Sequence, residues 1–138
     1  MPGVKALAHV CLASPDLGAS EAFYCRGLGL EKHFEFHRDG EVVGFYLKVT
    51  EGSYIEIFRQ DQVGCEGPCA IKHLCFEVED IDGLAAHMRS LGHEVSEKKK
   101  GCDGSWQAWT TDPGGASVEF HQYTDASSQR TRADCRFD

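Results

Sequence analysis

The chain has 138 residues, of which 41% are hydrophobic and 26% are charged, a composition ordinary for a soluble globular protein with one core. It carries 22 acidic and 14 basic residues, and the formal net charge of -8 argues against a nucleic acid or an anionic membrane as a partner. No apolar run reaches transmembrane length and the first residues lack the pattern of an export signal, so we expect a cytoplasmic protein.

The first half begins with a predicted strand over 7–12 and a helix over 17–27. Ser14-Pro15-Asp16 introduces this helix, with a capping residue ahead of a proline suited to the first helical turn. Asp39-Gly40 and Glu51-Gly52 are typical of turns between strands. The strands predicted around these turns are 31–36, 42–49 and 53–58.

The second half repeats this order after a polar link over 60–68. Its predicted elements are a strand over 71–78, a helix over 81–91, a strand over 93–97, a glycine-rich loop over 100–105, a strand over 106–111, a turn over 112–115 and a strand over 116–122. The order βαβββ therefore occurs twice and predicts an α+β fold in which two modules, 5–60 and 70–123, form a curled sheet or half-barrel cavity. We expect one domain over 1–123 and a loosely held polar C-terminal tail over 124–138.

The repeat carries two histidines and two glutamates in matching places. His9 in the run Ala-His-Val-Cys-Leu matches His73 in Lys-His-Leu-Cys-Phe, and Glu56 on one late strand matches Glu119 on the other. Strand alternation gives each glutamate a face opposite its apolar neighbours. An inward carboxylate is costly unless it is paired or bound to a metal, and two imidazoles with two carboxylates suit a divalent transition metal.

Six further residues are candidate substrate contacts. Cys11 and Cys75, each two residues beyond a histidine, could be soft ligands or small fillers of the cavity floor. His121 shares the predicted face of Glu119, so it either reaches the substrate or stands exposed at the strand end. The remaining candidates are Tyr54, Phe58 and Trp109, and for the tryptophan packing against a helix or a dimer interface is the alternative.

Cysteine usage and loops complete the pattern. The seven cysteines are expected to be reduced, and Cys65 and Cys69, whose spacing is loosely like that of a zinc hook, are interpreted as loop cysteines because no second pair follows nearby. The run Lys98-Lys99-Lys100 is interpreted as a solvated loop, and contact with an anionic substrate is the alternative. The segment 101–104 is interpreted as a flexible lid at the cavity.

Several segments of the chain resemble the vicinal oxygen chelate superfamily, over about residues 5–123. That superfamily includes glyoxalase I, extradiol dioxygenases, methylmalonyl-CoA epimerase and fosfomycin- and bleomycin-resistance proteins. The turn over 111–115 is similar to the family's Asp-Pro-Asp-Gly turn, with Gly114 where Asp is usual. The other segments that carry the resemblance are 16–24, 27–30 and 54–57.

Within that superfamily, the order His, Glu, His, Glu resembles small bacterial glyoxalase I. The resemblance implies His9, Glu56, His73 and Glu119 as ligands of a divalent ion (Ni, Zn, Co, Mn or Fe), and it implies a homodimer. Epimerases more often have Gln at the second position, and extradiol dioxygenases use two His and one Glu. Metal-free bleomycin-binding proteins lack the set.

Two departures from glyoxalase I concern the substrate. Ala13 stands where the family has an Arg that holds the glutathione carboxylates, and Gln60 stands where it has an Asn. Losing a bidentate clamp weakens recognition of an anionic thiol unless another cation, such as Arg59, replaces it.

The expected function is therefore that of a metal-dependent, lactoylglutathione lyase-like isomerase or lyase. Its substrate would be a small α-oxygenated carbonyl compound that reacts through a metal-stabilised enediolate, with Glu56 and Glu119 as catalytic carboxylates and Glu119 as the mobile base. The alternatives are a metal-free ligand-binding or resistance protein, an epimerase, and an extradiol-type dioxygenase on the same fold.

Overall fold

The structure is a computed structural model that describes residues 3, 5–61 and 70–137. The chain divides into two compact units, which are described separately: the first comprises 1–67 with 113–115, and the second comprises 68–112 with 116–138. Among the described residues, no helix is long and apolar enough to cross a membrane.

The first unit is one mixed four-stranded sheet with a helical segment after its first strand. Its elements are β1 (His9–Ser14), α1 (Leu17–Glu21), a π-helical turn (Ala22–Gly27), β2 (Glu31–Arg38), β3 (Glu41–Thr50) and β4 (Ser53–Arg59). The strand order is β1-β4-β3-β2, with β1 parallel to β4 and the other neighbours antiparallel. The first and last strands of the unit are therefore hydrogen-bonded neighbours.

The helical segment of the first unit begins at Leu17, as predicted, but its capping residue is not the predicted Ser14. The cap is Asp16, whose carboxylate accepts the backbone N–H of Ala19 at 3.0 Å, and Pro15 precedes the cap instead of opening the helix. Ser14 instead accepts a hydrogen bond from the hydroxyl of Ser20 at 2.6 Å. The core of the unit is fully buried and apolar, and includes Phe23, Tyr24, Phe45, Leu47, Ile55 and Ile57.

The second unit repeats the same plan. Its elements are β5 (Leu74–Glu77), α2 (Ile81–Ser90), β6 (Lys99–Lys100), β7 (Trp106–Thr111), β8 (Ser117–Gln122) and α3 (Ser128–Thr131). The strand order is β5-β8-β7-β6, again with the first and last strands of the repeat parallel. Asp80 caps α2 as Asp16 caps α1, through the N–H of Gly83 at 3.0 Å. The predicted α+β fold of two βαβββ repeats is confirmed, and in the described chain neither sheet closes into a barrel.

The strand predicted over 93–97 is wrong. The guanidinium of Arg89 donates to the backbone carbonyls of Val95 and Ser96, at 2.9 and 3.0 Å, and so occupies groups that a sheet ladder would use. The edge strand is instead the short β6, whose lysines pair with Gln107 and Trp106. The alternation of apolar and polar residues around Val95 gave no sign that a side chain of α2 would bind these carbonyls.

The segment after β8 is held more firmly than a loose tail. Ser127, which directly precedes α3, is fully buried, and its hydroxyl is 2.8 Å from the hydroxyl of Ser105. A disulfide joins Cys102 to Cys135, so the expectation that these two cysteines are reduced is wrong. The lid predicted over 101–104 is thereby tied to the C-terminal segment. Cys65 and Cys69 lie outside the described residues.

Candidate functional site

In the first unit, parallel pairing of β1 with β4 brings His9 beside Glu56. Nε2 of His9 is 3.9 Å from Oε1 of Glu56, and the register places His9 opposite Tyr54 and Cys11 opposite Glu56. The other ring nitrogen of His9, Nδ1, is 3.0 Å from the hydroxyl of Tyr46 and hydrogen-bonds with it. That bond fixes the ring orientation and leaves Nε2 on the side of the carboxylate.

An aromatic surface surrounds this pair. Tyr46 stacks on Phe34 with ring centroids 4.6 Å apart and lies 5.1 Å from the ring of Tyr54. Phe36 and Phe58 are in contact at 4.7 Å. The predicted substrate contacts Tyr54 and Phe58 therefore belong to one apolar cluster on the face that carries Glu56. Tyr46 was not predicted, although its place opposite Glu56 matches the place of Trp109 opposite Glu119 in the repeat.

In the second unit, His73 and Glu119 form the equivalent pair. Nε2 of His73 is 3.7 Å from Oε1 of Glu119, and His73 directly precedes β5. The ring of Trp109 packs edge-on against that of His73, with centroids 4.9 Å apart. The side chain of Glu119 is only 8% exposed, compared with 19% for Glu56. The second carboxylate is thus the more deeply desolvated of the two.

Glu119 also has Cys75 and His121 as neighbours. One potential ligand atom from each of these three residues lies within 4.8 Å of the others. Nε2 of His121 is 3.0 Å from Oε1 of Glu119, a contact that does not have the geometry of a hydrogen bond. This buried nitrogen has no hydrogen-bond partner among the described residues. The prediction that His121 shares the face of Glu119 agrees with this placement, and the alternative of an exposed strand-end histidine does not.

Both cysteines on these faces are held as thiols by their surroundings. Partial burial, the hydrogen bond to Glu119 and the negative charges of Glu119 and Asp103 raise the pKa of the Cys75 thiol to about 12. Partial burial and the hydrogen bond to Glu56 raise the pKa of Cys11 as well. Each glutamate therefore favours the protonated form of the thiol beside it, an interaction that sequence reasoning did not foresee.

The loop before β7 reaches His121 from the other side. Oδ2 of Asp103 is 3.9 Å from Nδ1 of His121 and accepts a hydrogen bond from the amide of Gln129 at 2.8 Å. Burial acts to raise the pKa of Asp103, but this bond and the one from the N–H of Ser105 outweigh it and leave the pKa below its usual value. Asp103 is a second residue that sequence reasoning missed, because its partner Gln129 is remote in the chain.

An open groove lies along the edge of the second sheet. Trp109 is one of its lining residues, and the ring of Trp109 contacts His73. The other lining residues are Gly92, His93, Glu94, Val95, Ser96, Thr110, Thr111 and Ser117.

The two His–Glu pairs fit a divalent metal in chemistry and in spacing. Bonds of about 2.1 Å place two ligands of one ion about 3–4 Å apart, and the nitrogen–oxygen distances of 3.9 and 3.7 Å are of that size. The orphaned nitrogen of His121 adds a buried donor beside the second pair. Each unit thus supplies one imidazole and one carboxylate that could take part in holding an ion.

Comparison with protein-family models matches residues 6–120 to the Glyoxalase/Bleomycin resistance protein/Dioxygenase superfamily. The chain belongs to this superfamily. It is 30% identical over 130 residues to the protein YaeR of Escherichia coli (strain K12), a match that covers 88% of this chain and 99% of YaeR. The superfamily contains both enzymes and binding proteins that catalyse no reaction.

Solved structures of the superfamily share the fold. The glyoxalase family protein from Enterococcus faecalis is 27% identical, with a TM-score of 0.73, over 86% of this chain and 98% of its own. The lactoylglutathione lyase from Agrobacterium tumefaciens is 23% identical, with a TM-score of 0.65, over 88% of this chain and 96% of its own. The similarity to the lactoylglutathione lyase supports the fold alone, so the activity of this chain has to be argued from its own residues.

Proposed function

We propose that this superfamily member is a metal-dependent isomerase or lyase acting on a small α-oxygenated carbonyl compound. The observation that supports this most directly is the repeated pairing of an imidazole with a carboxylate, at 3.9 Å for His9 and Glu56 and at 3.7 Å for His73 and Glu119. Two pairs give the nitrogen and oxygen donors that suit a divalent transition metal such as Ni, Zn, Co, Mn or Fe. In this proposal, His9, Glu56, His73 and Glu119 are its ligands.

A divalent ion would stabilise the negative charge that develops on the substrate oxygens when a proton leaves the adjacent carbon. The proton itself is taken by a carboxylate oxygen of Glu119 and returned to the neighbouring carbon, which completes an isomerisation. Glu119 suits this role because it is the more buried carboxylate and has the polar neighbours Cys75 and His121. Return of the proton to the other face of the same carbon would give epimerisation.

The remaining residues orient the site. Tyr46 holds the ring of His9 through Nδ1, and Trp109 packs against the ring of His73. Tyr54, Phe58 and Phe36 give an apolar surface that limits access of water to one side of a bound substrate. The protein acts as a homodimer in this proposal.

The aromatic cluster also favours a second candidate, a metal-free module that binds an apolar or aromatic ligand. Phe34, 45% exposed, stacks on Tyr46 and could extend such a surface. Glu56 counts against this candidate, because an apolar ligand gains nothing from a carboxylate on the same face.

Metal analysis of the purified protein separates the two candidates. We expect about one divalent ion per chain after dialysis, and turnover of a compound from a panel of hemithioacetals, acyl-CoAs and keto-sugars that stops on chelation and returns with metal. Binding of an aromatic ligand that is equally tight with and without metal, together with no turnover in the panel, would instead support the binding module.

A further inference from the structure

Cys75, Glu119 and His121 stand close together on one face of the second sheet. Cys75 of β5 is directly opposite Glu119 of β8 in the ladder, and His121 follows two residues later on the same strand. Backbone pairing therefore fixes all three positions, without a loop in the arrangement. One ligand atom from each residue lies within 4.8 Å of the others.

We propose that these three residues form a site for a thiophilic cation, such as Zn²⁺ or Cd²⁺, built within the second unit alone. It shares only Glu119 with the ligand set of the proposed function and does not depend on that function. Sulfur selects soft or borderline cations, whereas sites of carboxylate and water favour Mg²⁺ or Mn²⁺. A tetrahedral zinc shell holds its ligands about 3–4 Å apart, so a small adjustment of the Cys75 side chain would supply three of its four ligands, with water as the fourth.

The buried nitrogen of His121 is the strongest sign of a missing ligand. Nε2 is shielded from solvent and has no hydrogen-bond partner among the described residues, although Oε1 of Glu119 is 3.0 Å away. Leaving a buried polar atom unpaired costs free energy, and a cation beside Glu119 would remove that cost. On the far side of the ring, Nδ1 faces the carboxylate of Asp103 at 3.9 Å, which resembles the outer-shell support of metal-binding histidines.

The first unit provides a natural comparison. It has Cys11 opposite Glu56 in the same register, but Phe58 stands where the second unit has His121. A phenyl ring offers no ligand atom, so the first unit has two of the three groups. The proposal therefore assigns the thiophilic site to Cys75 and not to Cys11.

The test is a titration of the full-length protein with Co²⁺, under nitrogen and with a non-thiol reductant, followed by near-ultraviolet absorption. A cysteine thiolate bound to Co²⁺ gives a charge-transfer band, and coordination of Cys75 exchanges its thiol proton for the cation and releases that proton to solvent. We expect the band in the wild type and in Cys11→Ser, and no band in Cys75→Ser. His121→Phe, which copies the first unit, should weaken the Co²⁺ affinity at least tenfold.

Further variants make each outcome decisive. Circular dichroism checks that the variants fold, and His121→Gln replaces His121→Phe if the latter does not. His9→Ala should keep the charge-transfer band. Loss of the band in His9→Ala would mean that Cys75 binds the same ion as the His–Glu pairs, and would overturn the proposal of a site within the second unit alone. No band in the wild type, or a band lost in Cys11→Ser and kept in Cys75→Ser, would also overturn the proposal. Binding of Mn²⁺ tests the His–Glu ligand set of the proposed function, so its absence would leave the Co²⁺ result for Cys75 unchanged.

Discussion

His121 and Phe58 occupy the same position in the two halves of the repeat, two residues after the glutamate of each last strand. Phe58 packs on Phe36 at 4.7 Å, whereas Nε2 of His121 lies 3.0 Å from the carboxylate of Glu119. The repeat therefore gives both halves the same His–Glu pair, and the second half has an additional imidazole, that of His121, next to its carboxylate. This asymmetry predicts different roles for the two glutamates.

Glu119→Gln is expected to retain most of the metal and lose turnover by about 10²–10⁴-fold, the usual effect of removing a general base. The amide can still offer its carbonyl oxygen to an ion but cannot accept a proton. Steady-state kinetics with the substrate found in the panel, together with metal analysis, measure both effects. Glu56→Gln is the matched variant, and a larger loss of turnover in Glu56→Gln with an active Glu119→Gln would reverse the assignment.

His9→Ala/His73→Ala is expected to abolish stoichiometric binding of Mn²⁺, because it removes the imidazole of both pairs. Manganese is chosen because it favours oxygen and nitrogen donors over sulfur. Dialysis followed by metal analysis should give about one ion per chain in the wild type, and the same in His37→Ala, an exposed histidine of β2. Full Mn²⁺ occupancy in the double variant would contradict the ligand set.

Turnover of the methylglyoxal–glutathione hemithioacetal is expected to be weak, with kcat/KM well below about 10⁶ M⁻¹ s⁻¹. Ala13, opposite Phe58 in the β1–β4 ladder, offers no guanidinium to a glutathione carboxylate. Ala13→Arg should raise kcat/KM for this substrate at least tenfold. An efficient wild-type enzyme would restore the plain glyoxalase I interpretation.

The protein is expected to be a homodimer at micromolar concentration. Members of this superfamily commonly dimerise, and Phe34 and Leu7 are large apolar side chains exposed on the first unit. Sedimentation velocity should give about twice the 15.2 kDa mass of one chain. A single species of monomer mass over that concentration range would count against the dimer.

Cys102→Ser/Cys135→Ser is expected to lower the free energy of unfolding by about 2–4 kcal/mol, since the disulfide closes a loop between residues 33 positions apart. Urea denaturation with and without dithiothreitol measures the loss. Reduction should bring the wild type down to the stability of the variant and leave the variant unchanged. Cys11→Ser controls for the Cys-to-Ser change itself, because Cys11 takes no part in the disulfide.

The fold and the two His–Glu pairs could be predicted because they depend on local pattern and on repetition. Alternation within β4 and β8 fixes the face of each glutamate, and the repeat of His9 at His73 indicates the neighbouring strand. No knowledge of distant contacts is needed for either inference.

The features that could not be predicted depend on groups far apart in the chain. Arg89 takes carbonyls that the predicted strand over 93–97 would have used, and nothing in the alternation of that strand reports on a helix side chain. Asp103 lies beside His121 in a loop that Gln129 and the disulfide help to hold. A single sequence does not reveal which cysteines pair, so the expectation of reduced thiols failed at Cys102.

In each unit the glutamate lies on the last strand, and the histidine lies at the start of the first strand (His9) or directly before it (His73); these two strands pair in parallel. Pairing of these two strands closes a loop of almost the whole repeat. Among the strand pairings of the sheet, it therefore costs the most conformational entropy. An ion that binds both side chains would be linked to that closure and would stabilise the completed unit over partly formed ones. Binding of an ion by the His–Glu pair would then depend on complete folding of that half of the chain.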